Sequence, residues 1–257
     1  MKYNKILHFI IDKSQVNPYN TIEYVQLYYK EVLFSMKNIS IEHTQEVRRR
    51  ILDTAKNLLL QYGYNKTTIR MIVEHSGILT GSIYYLFKNK EDIFQSLYLS
   101  IIKNCVSHIN YYCKNESPAF KYAAFFFISL KKMEDDEIIR DAYFAGYNSK
   151  LIFENMVEQL TLLAHHLFDG TMYEMKDTEY YQKSLFIKGA MRACVAELYF
   201  KRNISPAASR LALISMALSL IGVDAIQIEN INKRIIAQES LWEKIAQQLV
   251  EEPIQKI

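Results

Sequence analysis

From Val47 to Tyr62 the apolar residues Val47, Ile51, Ala55, Leu58 and Tyr62 return at every third or fourth position. That spacing lays one stripe along an α-helix, whereas a strand would need alternation at every second residue. The same period governs nearly every later stretch, and 257 residues contain only 7 Gly and 4 Pro to interrupt it. The expected fold is therefore all-α, with long helices and few turns.

Gly63 follows the first stripe and is expected to end that helix in a left-handed cap. Thr67 to Phe94 then reads as helix, tight turn, helix. Thr68 is an N-cap residue, although Met71 at N3 leaves the reciprocal half of a capping box unfilled. Ile69, Ile72 and Val73 form a short apolar face, and Gly77 supplies the turn. Residues 78–87 form the second helix, with Ile83 and Phe87 pointing inward and Thr80, Gly81, Ser82, Tyr84 and Tyr85 available outside. Gly81 costs about 1 kcal/mol of helix propensity relative to alanine, which makes sense where a DNA backbone or base edge comes close. Asn89 caps the following helix, with Asp92 at N3. Lys90 at that helix start is electrostatically unfavoured unless a phosphate lies beside it. The arrangement suits a DNA-binding helix-turn-helix whose second helix enters the major groove.

Charge distribution agrees. Residues 37–90 hold nine Lys and Arg against four Asp and Glu, an excess of five in a chain whose net charge is +3. Arg48, Arg49 and Arg50 fall in the expected first turns of their helix, where cations gain nothing from the dipole. Two readings stand for them: contact with phosphates, or a solvated basic face. Lys66 and Lys88 are further candidates.

The segment ILDTAKNLLLQYGYNKTTIRMIVEHSGILTGSIYYLFKNKEDIF resembles the N-terminal DNA-binding domain of the TetR/AcrR family of transcriptional regulators, over about residues 47–95. The likeness joins the Gly-Tyr after the first helix, the Thr-Thr before the second, Gly77, Gly81, the YYLF at 84–87 and the Lys90-Glu91 pair. It implies that Thr68, Tyr84 and Lys90 contact phosphates and that Thr80, Gly81, Ser82 and Tyr85 lie toward base edges. It also implies a homodimer. Leu79, Thr80 and Leu86 depart from the family pattern, each replacing a residue that would make a polar DNA contact.

About six helices are expected after Glu91, near 91–113, 120–131, 136–147, 149–168, 178–202 and 205–222, followed by an amphipathic helix through Ile231, Ile235, Gln238, Trp242, Ile245 and Leu249. The helices from Tyr180 to Tyr199 and from Ser205 to Gly222 are so apolar that a second subunit is expected to cover them in a four-helix bundle. Phe125, Phe126, Tyr143, Phe144, Tyr147, Met156, His165 and Phe186 are candidates for the wall of a pocket taking a small apolar or aromatic effector. Aromatic residues at helical spacing also serve simply as core.

Several function classes find no support. Cys105, Cys113 and Cys194 include no CxxC pair, so neither a disulfide framework nor a zinc site is expected, and reduced cytoplasm is the default compartment. His165 and His166 point about 100° apart on a helix and cannot share a metal. The most apolar run, Leu211 to Val223, is too short to span a bilayer. No nucleotide-binding loop or catalytic constellation occurs, so no cofactor and no enzymatic activity are expected.

The expected organisation is a 1–36 extension, a helix-turn-helix DNA-binding domain at 37–95, and a helical effector-binding and dimerisation domain at 96–257. The extension reads either as two amphipathic helices, Tyr3 to Ile11 and Ile22 to Leu33, broken at Asn17-Pro18, or as leader upstream of a natural start at Met36. From Met36 the segment MKNISIEHTQEVRRR reads as a polar arm. The expected function is a ligand-responsive repressor acting as a homodimer on a pseudo-palindromic double-stranded DNA operator. The alternative is a helical interaction protein that keeps the fold without sequence-specific DNA binding.

Overall fold

The computed structural model describes residues 21–200 and 204–254, which form eleven α-helices and no strand. The helices are α1 (Thr21–Lys66), α2 (Ile69–Ser76), α3 (Thr80–Leu86), α4 (Lys90–Tyr112), α5 (Pro118–Asp135), α6 (Glu137–Asn148), α7 (Lys150–Phe168), α8 (Asp177–Glu197), α9 (Pro206–Ile221), α10 (Ala225–Ala237) and α11 (Glu239–Glu251). Two compact units divide between Val47 and Arg48, and the elements that carry the candidate sites belong to the second. The first expected amphipathic helix and the Asn17-Pro18 break lie outside the described residues.

Residues 37–45, expected as a polar arm, are helical and belong to α1. Between Thr21 and Lys66 there is no proline and a single glycine, so nothing in the chain breaks the helix earlier. Gly63 does interrupt it, but with φ 77° and ψ 168° rather than the left-handed helical cap expected. That region is essentially reserved for glycine. The buried Thr67 closes the break, its amide and hydroxyl both donating to the Gly63 carbonyl, at 3.2 and 2.8 Å.

Local capping rules hold well in the next two connections. Thr68 Oγ1 accepts from the Met71 amide at 3.2 Å, and Gly77 ends α2 at φ 66°, ψ 16°. Asn89 Oδ1 accepts from the Asp92 amide at 2.8 Å while Asp92 Oδ2 accepts from the Lys88 amide at 3.0 Å. Helix α4 then continues for 23 residues, roughly 35 Å at 1.5 Å per residue, from the helix-turn-helix into the larger helical body.

Helix α5 is the centre of that body. Its run of Phe120 and Tyr122 through Ile128 is buried on every side, as a helix without a polar face must be. Helices α4, α6, α7, α8, α9, α10 and α11 all pack on it. The buried Arg210 on α9 pairs with Glu134 of α5 and lies 4.3 Å above the Phe127 ring.

Two expectations about the C-terminal helices change. Helix α9 is covered largely within the chain, with Leu213, Ile214, Ala217, Leu218 and Ile221 buried, so its apolar character does not call for a partner. The outward apolar surface lies on α7 and α8 instead, at Leu162, Tyr181, Leu185 and Phe186. The segment expected as one helix from Ile231 to Leu249 is two, broken at Gln238 with φ −109° and ψ 21°. The break buries Ile235, Trp242 and Ile245 together, and the Trp242 indole donates to the Ile235 carbonyl at 2.7 Å. No helix among the described residues is long and apolar enough to cross a membrane.

Candidate functional site

Three cations lock the helix-turn-helix, each directed at the carbonyl end of a helix. Arg50 donates to the Ser76 carbonyl at the end of α2, at 2.6 Å. Arg48 donates to the Leu86 carbonyl at the end of α3, at 3.4 Å, and to Ser96 Oγ at 2.7 Å, its guanidinium lying 4.4 Å from the Phe87 ring centre. Lys90 Nζ donates to the Tyr64 carbonyl in the last turn of α1, at 2.5 Å, and sits 4.1 Å from the Tyr64 ring centre. These carbonyls carry the negative end of each helix dipole and lack intrahelical donors. Arg48, half-buried, and Arg50, exposed, thus each direct a guanidinium nitrogen to a carbonyl of their own domain, a role neither sequence reading included. Arg49 forms an ion pair with Asp53 at 2.9 Å. The amine of Lys90, expected at a phosphate, is engaged by Tyr64, and burial lowers its pKa.

The opposite surface of the motif is open. Ile83 and Phe87 are buried, while Thr80, Gly81, Ser82, Tyr84 and Tyr85 are exposed, Tyr85 at 84%. Leu79, at the N-cap of α3, is 78% exposed and makes no side-chain cap bond. Thr68 is exposed beside this surface, although its hydroxyl is committed to capping α2. One short helix thus presents four hydroxyls, a glycine and an apolar side chain outward on a two-residue buried anchor.

Residues 51–97 match the family model described as bacterial regulatory proteins of the tetR family. Over these residues the chain is similar to the DNA-binding domain of that family. The HTH-type transcriptional repressor Rv1474c of Mycobacterium tuberculosis is 36% identical over 62 residues, 24% of this chain and 33% of that protein. The HTH-type transcriptional regulator AcrR of Shigella flexneri is 37% identical over 57 residues, 22% of this chain and 26% of that protein. The matched stretch is therefore a third or less of these relatives' length. A crystal structure of RolR in complex with the ligand resorcinol superposes with a TM-score of 0.57 at 17% identity, covering 76% of this chain and 96% of that one, a likeness of fold.

Behind the matched segment the body holds a cavity of about 100 Å³ where α1 meets α4, α5, α6 and α11. Leu59, Leu60, Cys105, Phe125, Tyr143 and Leu249 are among its walls. Of the eight candidate wall residues, the structure brings Phe125 and Tyr143 to it. Phe126 is packed into the core against Tyr122, and Met156 is buried near Gly146. Tyr147 is buried next to Tyr143, with ring centres 6.5 Å apart. Phe144 faces a separate open depression shared with Tyr64, Glu91 and Tyr199. His165 lies against the Tyr180 ring at 4.1 Å and bonds Asp169 at 3.2 Å, away from the cavity. Phe186 is 55% exposed on the outside of α8, a correction to its assignment as pocket wall: its position turns to the opposite face from Ile187 and Met191, which are buried.

The TetR-family motif is also tied to the end of the chain. Lys56 Nζ donates to the Glu252 carbonyl, and Asp53 Oδ1 accepts from the Ile254 amide at 2.6 Å. Glu252 in turn pairs with His108 of α4 at 3.1 Å. Burial lowers the Lys56 pKa, with Asp53 and Glu252 acting in the opposite sense. Sequence reasoning missed this clasp and the α1 wall of the cavity. Among the described residues, no group of three or more His, Cys, Asp and Glu side chains is placed to hold a metal ion.

Proposed function

We propose that this protein is a homodimeric, ligand-responsive DNA-binding transcriptional regulator, a repressor that reads a pseudo-palindromic operator. The observation that carries the reading is the outward face of α3, where Thr80, Gly81, Ser82, Tyr84 and Tyr85 are exposed together above buried Ile83 and Phe87. Hydroxyls serve phosphates and base edges alike, and the glycine permits close approach. The exposed apolar surface of α7 and α8 supports a dimer formed through those helices. The cavity supports a ligand switch because α1 supplies part of its wall, so an occupant bears directly on the helix that braces α2 and α3. A ligand that prefers one spacing of the two recognition helices weakens DNA binding, and DNA weakens ligand binding by the same factor.

Selection of bound sequences from a random DNA pool tests this reading. The expected result is a two-fold symmetric site with half-sites one helical turn apart, or a multiple of it, and affinity that falls steeply with salt. Failure to enrich any sequence would overturn the reading and favour a helical interaction protein, a reading that rests on Leu79, Thr80 and Leu86, where expected polar DNA contacts are missing.

A further inference from the structure

The helical body buries an ammonium group without an acid beside it. Lys188 of α8 is 1% exposed, and its Nζ donates to Tyr98 Oη at 3.1 Å and to Met191 Sδ at 3.6 Å. When protonated the amine has three hydrogens to donate, so one then has no partner. Tyr98 from α4 and Phe125 from α5 flank it, and Tyr98 in turn neighbours Cys105 of α4 and Tyr143 and Tyr147 of α6. The Nζ lies 5.9 Å from the Phe125 ring centre, and Tyr98 meets Tyr143 edge-on at 5.9 Å. The hydroxyl of Tyr147 is buried with no partner at all.

Every titratable group in this cluster is a donor in its neutral or protonated form. Burial raises Tyr98, Tyr143, Tyr147 and Cys105, the last to about 12, so all four keep their protons at neutral pH. Burial pushes Lys188 down to about 7, so it is readily protonated when a counter-charge arrives. A buried cation without an anion is strongly destabilising, and such groups collect at functional sites.

The cluster adjoins the cavity. Phe125 and Tyr143 line the cavity and also form the layer around Lys188 and Tyr98. The cavity's roughly 100 Å³ is less than the ~150 Å³ that admits a benzene ring. A ring-sized ligand must therefore displace a wall side chain, and Phe125 and Tyr143 are wall residues that also separate the cavity from Lys188 and Tyr98.

We propose that this is a binding site for a small aromatic carboxylate, whose ring occupies the cavity and whose carboxylate accepts from Lys188 Nζ and the hydroxyls of Tyr98 and Tyr147. The proposal deepens the ligand-responsive reading and rests on it. An aromatic acid satisfies both halves of the site: apolar walls for the ring and unpaired donors for the oxygens. Binding of the anion stabilises the charged lysine, so the complex takes up a proton near neutral pH.

Calorimetric titration of the full chain without DNA tests it, with sodium benzoate as probe and benzyl alcohol as the neutral match. At pH 7.5, in two buffers of different ionisation enthalpy, benzoate is expected to bind at least ~10-fold tighter than benzyl alcohol, with net proton uptake. Lys188→Met is expected to abolish both the preference and the uptake while preserving the helical circular dichroism. Equal affinities, no binding of either compound, a benzoate preference without proton uptake, or a preference that survives in Lys188→Met would each overturn the proposal. Because the wild-type chain alone reports the proton uptake, a variant that failed to fold would leave the test intact. Success here with no sequence enriched by DNA selection would retain the site and remove the regulator reading.

Discussion

Arg50, on the helix that precedes the motif, holds the last carbonyl of α2 at Ser76 with a 2.6 Å hydrogen bond. The bond braces the turn at Gly77 from behind, leaving the outer face of α3 free. Bonds to charged groups contribute about 1.5–3 kcal/mol. Arg50→Ala is therefore expected to lower stability by about 2 kcal/mol, seen as a reduced urea midpoint with an unchanged slope. A midpoint equal to wild type would assign the arginine to another role.

Tyr85 offers the converse case. Its side chain is nearly all in solvent and packs on nothing that holds the fold. Tyr85→Ala is expected to leave the urea midpoint within about 0.5 kcal/mol of wild type and to weaken operator binding about tenfold in a gel shift. Leu79, equally exposed, is an apolar group suited to a thymine methyl. Leu79→Ala should relax preference at one base pair per half-site, by no more than the roughly 1–3 kcal/mol that a mismatched base pair costs. Unchanged affinity in both variants would place the DNA-reading surface elsewhere.

The outer surface of α8 carries the dimer prediction. Leu185 and Phe186 are exposed there beside Tyr181. Phe186→Glu would bury a carboxylate against an apolar partner surface, a costly placement without a counter-charge. Sedimentation equilibrium should show the mass of the wild-type particle halved, with circular dichroism intact. A wild-type protein that is already monomeric at micromolar concentration would refute the interface.

Lys188 makes a pH-dependent prediction about stability. Burial lowers its folded pKa to about 7 from the ordinary 10.5. Between those values the unfolded chain holds a proton that the folded chain has released, so stability at this site rises with pH by about 1.4 kcal/mol per unit. The destabilisation is complete below about pH 7 and fades as pH approaches 10.5. Lys188→Met should therefore melt higher than wild type by a margin largest near pH 6 and smaller near pH 9. A margin that is flat, or that grows with pH, would contradict a buried neutral lysine.

What the sequence disclosed, and what it hid, follows from the range of the interactions. Thr68, Gly77 and Asn89 act on backbone groups within a few residues, so their roles could be read from position alone. The turn at Gln238 has neither glycine nor proline to announce it, and its cause is the joint burial of Ile235 and Trp242. The partners of Arg48, Arg50 and Lys90 are backbone carbonyls 26 to 38 residues away, which have no signature in composition. Periodicity located the aromatic residues of α5 and α6 on helices but did not say which of them meet a void. Thus Phe125 reaches the cavity and Phe126, its neighbour, does not. Lys188 was hidden by its own helix, whose many apolar residues make one lysine look like a solvated exception.

The clasp between Asp53 and Ile254 spans 201 residues, and that between Lys56 and Glu252 spans 196. Contacts so distant in sequence close late, because the loop entropy must be overcome before they form. On the ribosome Asp53 and Lys56 emerge well before Glu252 and Ile254, so these two side chains wait for their partners. A product released early leaves Asp53 and Lys56 without these partners and the α11 side of the cavity unbuilt. The helix that braces the helix-turn-helix is thereby held by residues about 200 positions away, so its stability reports on whether α11 has docked.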